Sequence, residues 1–292
     1  MKTDTLLPQG SALMAGTLAV LLAAPSLQAA TLEEIQQREL IRIAVANERP
    51  YGYLNDQGKA LGVGPEVATR ILHELGIPEI EWVEAEFQDL IPGLESGRFD
   101  MAAAEMAILP ERCERVLFSN PNTSYGEGLL VMSSNPHRIR SYEDFIQRAE
   151  EIRVAFQPGT VQEAMFEALG IDPVRIVEVA SPQHGLEVVV RGEADAYAAT
   201  GMTVAAMEQM SPEVEAEFNF EDPVIDGREV RYFGGFAFPL DADDLRDAVN
   251  EALREEKRDG DWQQTLTRYG FLRKDVLYSF RFTAEELCNG AG

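Results

Sequence analysis

Leu40-Ile41-Arg42-Ile43-Ala44-Val45-Ala46 is a short apolar run rich in branched side chains, and the helical pattern on its C-terminal side makes it the first strand of an α/β unit. Gly64 and Pro65 open that helix, whose apolar face carries Val67, Ile71, Leu72 and Leu75, and Gly76 ends it. Glu81-Trp82-Val83-Glu84 reads as a second strand. Leu90, Ile91 and Leu94 lie on a short helix closed at Gly97, and Phe99-Asp100-Met101-Ala102-Ala103-Ala104 is a third strand. Strand and helix in alternation predict a mainly parallel sheet. The pattern then restarts. Ile152-Arg153-Val154-Ala155-Phe156 is a strand, Gln157-Pro158-Gly159-Thr160 a turn, and Val161 to about Leu169 a helix. Ile176-Val177-Glu178-Val179, the helix from Gly185 to Arg191, and Ala194-Asp195-Ala196-Tyr197-Ala198-Ala199 complete a second unit of the same layout.

Gly128-Leu129-Leu130-Val131-Met132 lies between the units, and a matching strand, Gly234-Gly235-Phe236-Ala237-Phe238, comes after the second. The chain ends in helices, among them Leu245 to Arg254 and Asp261 to Tyr269. The expectation is an α/β molecule of two lobes, each a mainly parallel sheet flanked by helices, joined by two crossing strands. Residues 31–131 and 236–292 form the first lobe and residues 132–235 the second. The cleft lies where the carboxyl ends of both sheets meet.

Residues 1–30 read as a secretory signal peptide: Lys2, an apolar run from Ala12 to Ala24, a break at Pro25 and Ser26, and cleavage near Ala29 and Ala30. The apolar run is too short to span a membrane. No cysteine stands at the cleavage site to carry a lipid, so the mature chain is expected free in the periplasm. The formal charge of −25 arises from 50 acids against 25 bases, which disfavours nucleic acid as a partner. Cys113 and Cys288 are the only cysteines. In an exported protein they suggest one disulfide, the alternative being two free thiols. His73, His137 and His184 are far apart and lack metal-ligand spacing, and no Gly-Lys-Ser phosphate loop is present.

The chemistry gathers at three places. In Ile108-Leu109-Pro110-Glu111-Arg112-Cys113, Arg112 stands just after a strand at the mouth of the cleft. Its planar fork can take a carboxylate in a bidentate manner, although a surface arginine paired with a nearby acid has the same local sequence. Thr160 comes after Gly159 at a helix start, where free N–H groups favour an anion and where threonine also serves as an ordinary cap. Glu48 and Tyr51, in Asn47-Glu48-Arg49-Pro50-Tyr51, offer a carboxylate and an aromatic face to a cation. Together they describe a site for a small carboxylate that also carries positive charge.

The chain resembles the extracytoplasmic solute-binding proteins of ABC importers, of the polar amino-acid type. The resemblance rests on Leu90-Ile91-Pro92-Gly93-Leu94 with Gly97-Arg98-Phe99-Asp100, the Pro110-Glu111-Arg112 turn, Phe118-Ser119, Gly159-Thr160, and Gly192 with Asp195-Ala196. It is closest to the ectoine- and hydroxyectoine-binding branch through Ala46-Asn47-Glu48, Pro50-Tyr51-Gly52-Tyr53, Arg112-Cys113, Asp222-Pro223-Val224-Ile225-Asp226-Gly227, Phe236-Ala237-Phe238 and Ala284-Glu285-Glu286-Leu287-Cys288. The resemblance implies a type II periplasmic-binding-protein fold that closes as a clamshell, a monomer without cofactor, and a permease as partner. It also implies that Arg112 and Thr160 hold the solute carboxylate, and that Glu48 takes a ring N–H of the solute. Tyr51 and Phe87 would cage its cation, with core packing the alternative for Phe87.

Two positions depart from the branch. A third cage aromatic is replaced by Ala107. Glu105 stands where the wider family commonly has glycine, and strand alternation puts it on the same face as Ala107. Glu105 then either adds negative charge near the cation or turns to solvent. Amino-acid binders of the family commonly place an aspartate five residues after the Asp-Ala pair, and here Thr200 occupies that spacing after Asp195. A primary ammonium would lose its charged partner, which favours a ring-delocalised cation. The rival classes are a binder of another amino acid or cationic carboxylate, and a periplasmic dehydratase of the prephenate or arogenate type on the same fold. A sensory domain would need an attached membrane helix.

Overall fold

The computed structural model describes residues 29–148, 151–225 and 227–291. The leader expected at residues 1–30 lies almost wholly outside them. In the first lobe the strands Glu79–Glu84, Leu40–Val45 and Met101–Ala107 are parallel neighbours, as the βαβαβ pattern requires. Tyr232–Phe238 then adds antiparallel to Met101–Ala107, and it also pairs antiparallel with Leu117–Phe118 and Thr123–Tyr125. The second lobe repeats the scheme. Ile176–Glu178, Val154–Phe156 and Ala196–Thr200 are parallel, while Glu127–Met132 lies antiparallel between Ala196–Thr200 and Val214–Ala216. Each sheet is therefore mixed, because the strand after each lobe change enters against the direction of the βαβαβ unit.

The crossings fall earlier than residues 131 and 235. Glu127–Met132 pairs along its length with the second sheet, Glu127 opposite Thr200 and Val131 opposite Ala196. Tyr232 already pairs with Tyr125 in the first sheet. The chain thus leaves the first lobe at Gly126 and regains it just before Tyr232. An apolar run marks each strand in the sequence but does not identify its partner, and this shifts the boundary by several residues.

The helix Val63–Glu74 buries Val63, Val67, Ala68, Ile71 and Leu72 against the first sheet. Close approach requires Gly64: a Cβ there would stand 2.4 Å from the Ala103 carbonyl oxygen. The C-terminal helix Asp243–Asp259 buries Leu245, Val249, Ala252 and Leu253 in the same core, and Arg70 forks onto its Glu256 at 2.8 Å. Cys113 and Cys288 form a disulfide that joins the short helices Pro110–Cys113 and Ala284–Cys288 across 175 residues. Among the described residues no helix is long and apolar enough to cross a membrane.

Candidate functional site

A small cavity lies between the lobes at the carboxyl ends of the parallel strands. Arg112, Glu48, Tyr51 and Phe87 line it from the first lobe, and Gln157, Thr160, Gln162 and Thr200 from the second. Arg112 sits on the one-turn helix Pro110–Cys113, which the chain enters straight from the strand Met101–Ala107. Its guanidinium is buried. One Nη donates to the Ala107 carbonyl at 3.0 Å, and the other donates across the cleft to the Gly159 carbonyl at 2.9 Å. The Phe87 ring centroid is 5.6 Å from its Cζ. Among the described residues no carboxylate pairs with it, and burial pushes its pKa down from the usual arginine range. A buried cation satisfied only by carbonyls is costly until an anion reaches it.

Thr160 is the N-cap of the helix Val161–Leu169, but its hydroxyl turns back to donate to the Gln157 carbonyl at 2.7 Å. The first N–H groups of a helix have no intrahelical acceptor; the Glu163 N–H donates to the Thr160 carbonyl at 3.3 Å, which leaves those of Val161 and Gln162 for an anion in the cavity. Gly159, at φ +79°, makes the turn and brings its carbonyl to Arg112.

On the opposite side, Glu48 accepts a hydrogen bond from the Thr203 hydroxyl of the second lobe at 2.6 Å. Its other oxygen takes none among the described residues. Burial pushes the Glu48 carboxyl up to about 7. Tyr51, also buried, reaches the Thr200 hydroxyl at 2.8 Å, and Thr200 lies 3.0 Å from Thr203. Tyr125 packs on Tyr51 with ring centroids 5.2 Å apart and joins the cavity wall.

The cleft thus sets an unpaired arginine and free helix N–H groups against a carboxylate and aromatic faces, with lobe closure burying both. The bacterial extracellular solute-binding proteins, family 3, match residues 41–272 of this chain. The chain belongs to that family.

Among family 3 proteins, it is 44% identical over 286 residues to a probable amino-acid ABC transporter periplasmic-binding protein of Sinorhizobium fredii, covering 97% of this chain and 94% of the relative. A crystal structure of EhuB in complex with hydroxyectoine matches with a TM-score of 0.78 and 29% identity, over 88% of this chain and 97% of that one. A cyclohexadienyl dehydratase of Pseudomonas aeruginosa is 24% identical over 197 residues, 66% of this chain and 72% of the relative. The fold is the type II periplasmic-binding-protein fold. The chain is the solute-binding component of an amino-acid-type ABC importer, which implies a small solute and a membrane permease as partners. The family consists mainly of non-enzymatic binding proteins.

For this family 3 protein the structure brings Glu48, Tyr51, Phe87, Arg112, Gly159, Thr160 and Thr200 to one cleft. It corrects the expectation for Ala107 and decides between the two for Glu105. Ala107 is not a missing cavity wall: it is buried in the first lobe's core and uses its carbonyl to hold Arg112. Glu105 lines the cavity rather than facing solvent, but it offers no free carboxylate. One oxygen accepts from Asn122 Nδ2 at 2.6 Å and the other from Thr123 Oγ1 at 2.8 Å. Strand alternation holds despite φ +52° at Glu105: Met101, Ala103 and Ala107 pack in one core of the first lobe and Ala102, Ala104 and Met106 in the other, and Glu105 lies on the Ala107 side, where a Cβ at Gly64 would stand 3.2 Å from its Oε1. Burial lifts its carboxyl to about 7. Sequence reasoning missed Tyr125 and Gln162. Tyr125 ends the strand before the crossing, and Gln162 lies two residues past Thr160 on the helix N-terminus, a position that could have been tested along with it.

Proposed function

We propose that the solute is a small zwitterion of the ectoine or hydroxyectoine class, with its carboxylate on Arg112 and the helix N-terminus at Thr160 and its cation against Glu48, Tyr51 and Tyr125. The observation that carries this reading is the buried Arg112, without a carboxylate partner among the described residues, lining one aromatic-walled cavity with Glu48. Thr200 in place of a second carboxylate favours a delocalised cation stacked on rings over a primary ammonium. The neighbour bound to hydroxyectoine supports the same choice. In this reading the mature protein is an exported monomer. It closes about Gly126 and the return segment before Tyr232, and the closed form is presented to the permease. The alternative within the class is another amino acid or cationic carboxylate.

Calorimetric titration of the mature protein with ectoine, hydroxyectoine, glutamine, arginine and proline betaine tests the reading, repeated with Arg112→Ala. Ectoine binding lost at least a hundredfold in the mutant is the expected result. Heat only with an ordinary amino acid would remove the ectoine assignment and keep the carboxylate clamp. Recovery of each solute unchanged separates a binder from a dehydratase, whose product from prephenate or arogenate would be phenylpyruvate or phenylalanine.

A further inference from the structure

Behind the second-lobe wall of the cavity lies a buried carboxylate that the proposed clamp does not use. Glu127 is the first residue after the crossing at Gly126, and its partner in the sheet is the cavity residue Thr200. Its Oε2 accepts from the Tyr142 hydroxyl at 2.7 Å and from Gln162 Nε2 at 2.6 Å. Its Oε1 is fully buried and has no hydrogen-bond partner among the described residues. Gln162 itself lines the cavity. Its Nε2 has to face the carboxylate, because Oε2 of Glu127 acts only as an acceptor whether or not Oε1 carries a proton. The amide is thereby fixed, and its Oε1 accepts no hydrogen bond among the described residues.

We infer that Glu127 is a positioning residue for solute selection: it locks the Gln162 amide so that Oε1 serves as a hydrogen-bond acceptor for the bound cation, opposite Glu48. This rests on the reading of the cleft as a site for a zwitterion. Each lobe then contributes one acceptor to the cation, Glu48 from the first and Gln162 from the second. A cation with at least two N–H donors, such as an amidinium or guanidinium, satisfies both. A quaternary ammonium has no N–H and leaves two desolvated acceptors unpaired, which a buried site tolerates poorly. The site therefore selects N–H cations against fully methylated ones, a choice that aromatic faces alone would not make, since rings bind both kinds.

The test titrates ectoine and arginine, which carry N–H cations, and proline betaine, which does not, into the wild type and into Gln162→Leu, Glu127→Leu and Glu127→Gln. The wild type is expected to prefer an N–H solute over proline betaine by at least about a hundredfold. Gln162→Leu and Glu127→Leu are expected to weaken the N–H solute about tenfold or more while leaving proline betaine unchanged, so the preference collapses. Glu127→Gln keeps a carbonyl acceptor for Nε2 and is expected to retain most of the preference. If Glu127→Leu does not fold, Gln162→Leu alone decides the matter. Binding that depends on Arg112 but is indifferent to Gln162→Leu would overturn the inference and leave the proposed function standing. Equal wild-type binding of proline betaine would overturn it too. Arginine in place of ectoine, still weakened by Gln162→Leu, would support the inference and remove the ectoine assignment. Failure of all three solutes to bind would overturn both.

Discussion

The Tyr51 hydroxyl of the first lobe lies 2.8 Å from the Thr200 hydroxyl of the second, and this contact is one end of a directed chain. Thr203 donates its only hydroxyl proton to Glu48 at 2.6 Å, so Thr200 must donate to Thr203 and Tyr51 to Thr200. The chain starts and ends on the first lobe and passes through the helix Gly201–Glu208 on the second, beginning at its N-cap Thr200. It is a contact of the closed cleft, and opening would break it at both ends.

In the proposed site Tyr51 therefore has two separable roles, a ring against the solute and a hydroxyl for closure. Tyr51→Phe keeps the ring and removes one neutral hydrogen bond, and solute affinity is expected to fall about fivefold, chiefly through faster release. Tyr51→Ala removes the face as well and is expected to cost more than about fiftyfold. Titration together with stopped-flow dissociation checks both. Equal losses in the two variants would mean that the ring contributes nothing.

Glu48, Glu105 and Glu127 are carboxyls that burial lifts to about 7, against a usual 4.5. Between pH 4.5 and 7 the native state holds protons that the unfolded chain has released. Stability from these groups is thus greatest at the acid end of that window, declines as pH rises through it, and is level above it. In the proposed site solute binding runs the other way, because the cation needs Glu48 ionised. Affinity is expected to fall about tenfold from pH 8 to pH 6, while the melting temperature of the solute-free protein rises over the same interval. Calorimetry and thermal unfolding at the two pH values would show the opposed trends. Affinity that does not change with pH would remove Glu48 from the cation site.

Gly159 closely approaches the other lobe. It has φ +79°, and a Cβ there would stand 3.1 Å from the Cα of Gln88. Gly159→Ala strains the turn and wedges the cleft open. Solute affinity is expected to drop about tenfold or more, since the wedge acts on the closed form, whereas the strain costs on the order of 1 kcal/mol of stability. Small-angle scattering with saturating solute would report a larger radius of gyration than for the wild type. A fully closed mutant would place the steric limit elsewhere.

Arg112 and Thr160 were legible in the sequence because each is tied to a local signal: a Pro-Glu-Arg turn after a strand and a Gly-Thr turn before a helix. The two βαβαβ units were legible for the same reason, since their periodicity is local. Alternation put Glu105 and Ala107 on one face, where they are, but it did not show that Asn122 and Thr123 occupy both Glu105 oxygens, because those partners lie beyond the strand. Tyr125 and Glu127 flank Gly126, and their placement depends on which sheet each side of the crossing joins. That is settled by pairing with Tyr232 and Thr200, distant in the chain, which no local pattern encodes.

Cys113 adjoins Arg112 on a helix of four residues, and its bridge to Cys288 ties that helix to the end of the described chain. Two consequences separate. The bridge closes 175 residues, so its removal should lower stability by about 2–5 kcal/mol. The guanidinium, however, is also held by the Ala107 carbonyl and lies against Phe87, neither of which depends on the bridge. Cys113→Ser with Cys288→Ser is therefore expected to melt several degrees lower than the wild type while solute affinity at about 25 °C changes less than about threefold. Parallel thermal unfolding and titration decide it. If affinity falls in proportion to stability, the short helix needs the bridge to present Arg112, and the disulfide is part of the binding site rather than only a brace beneath it.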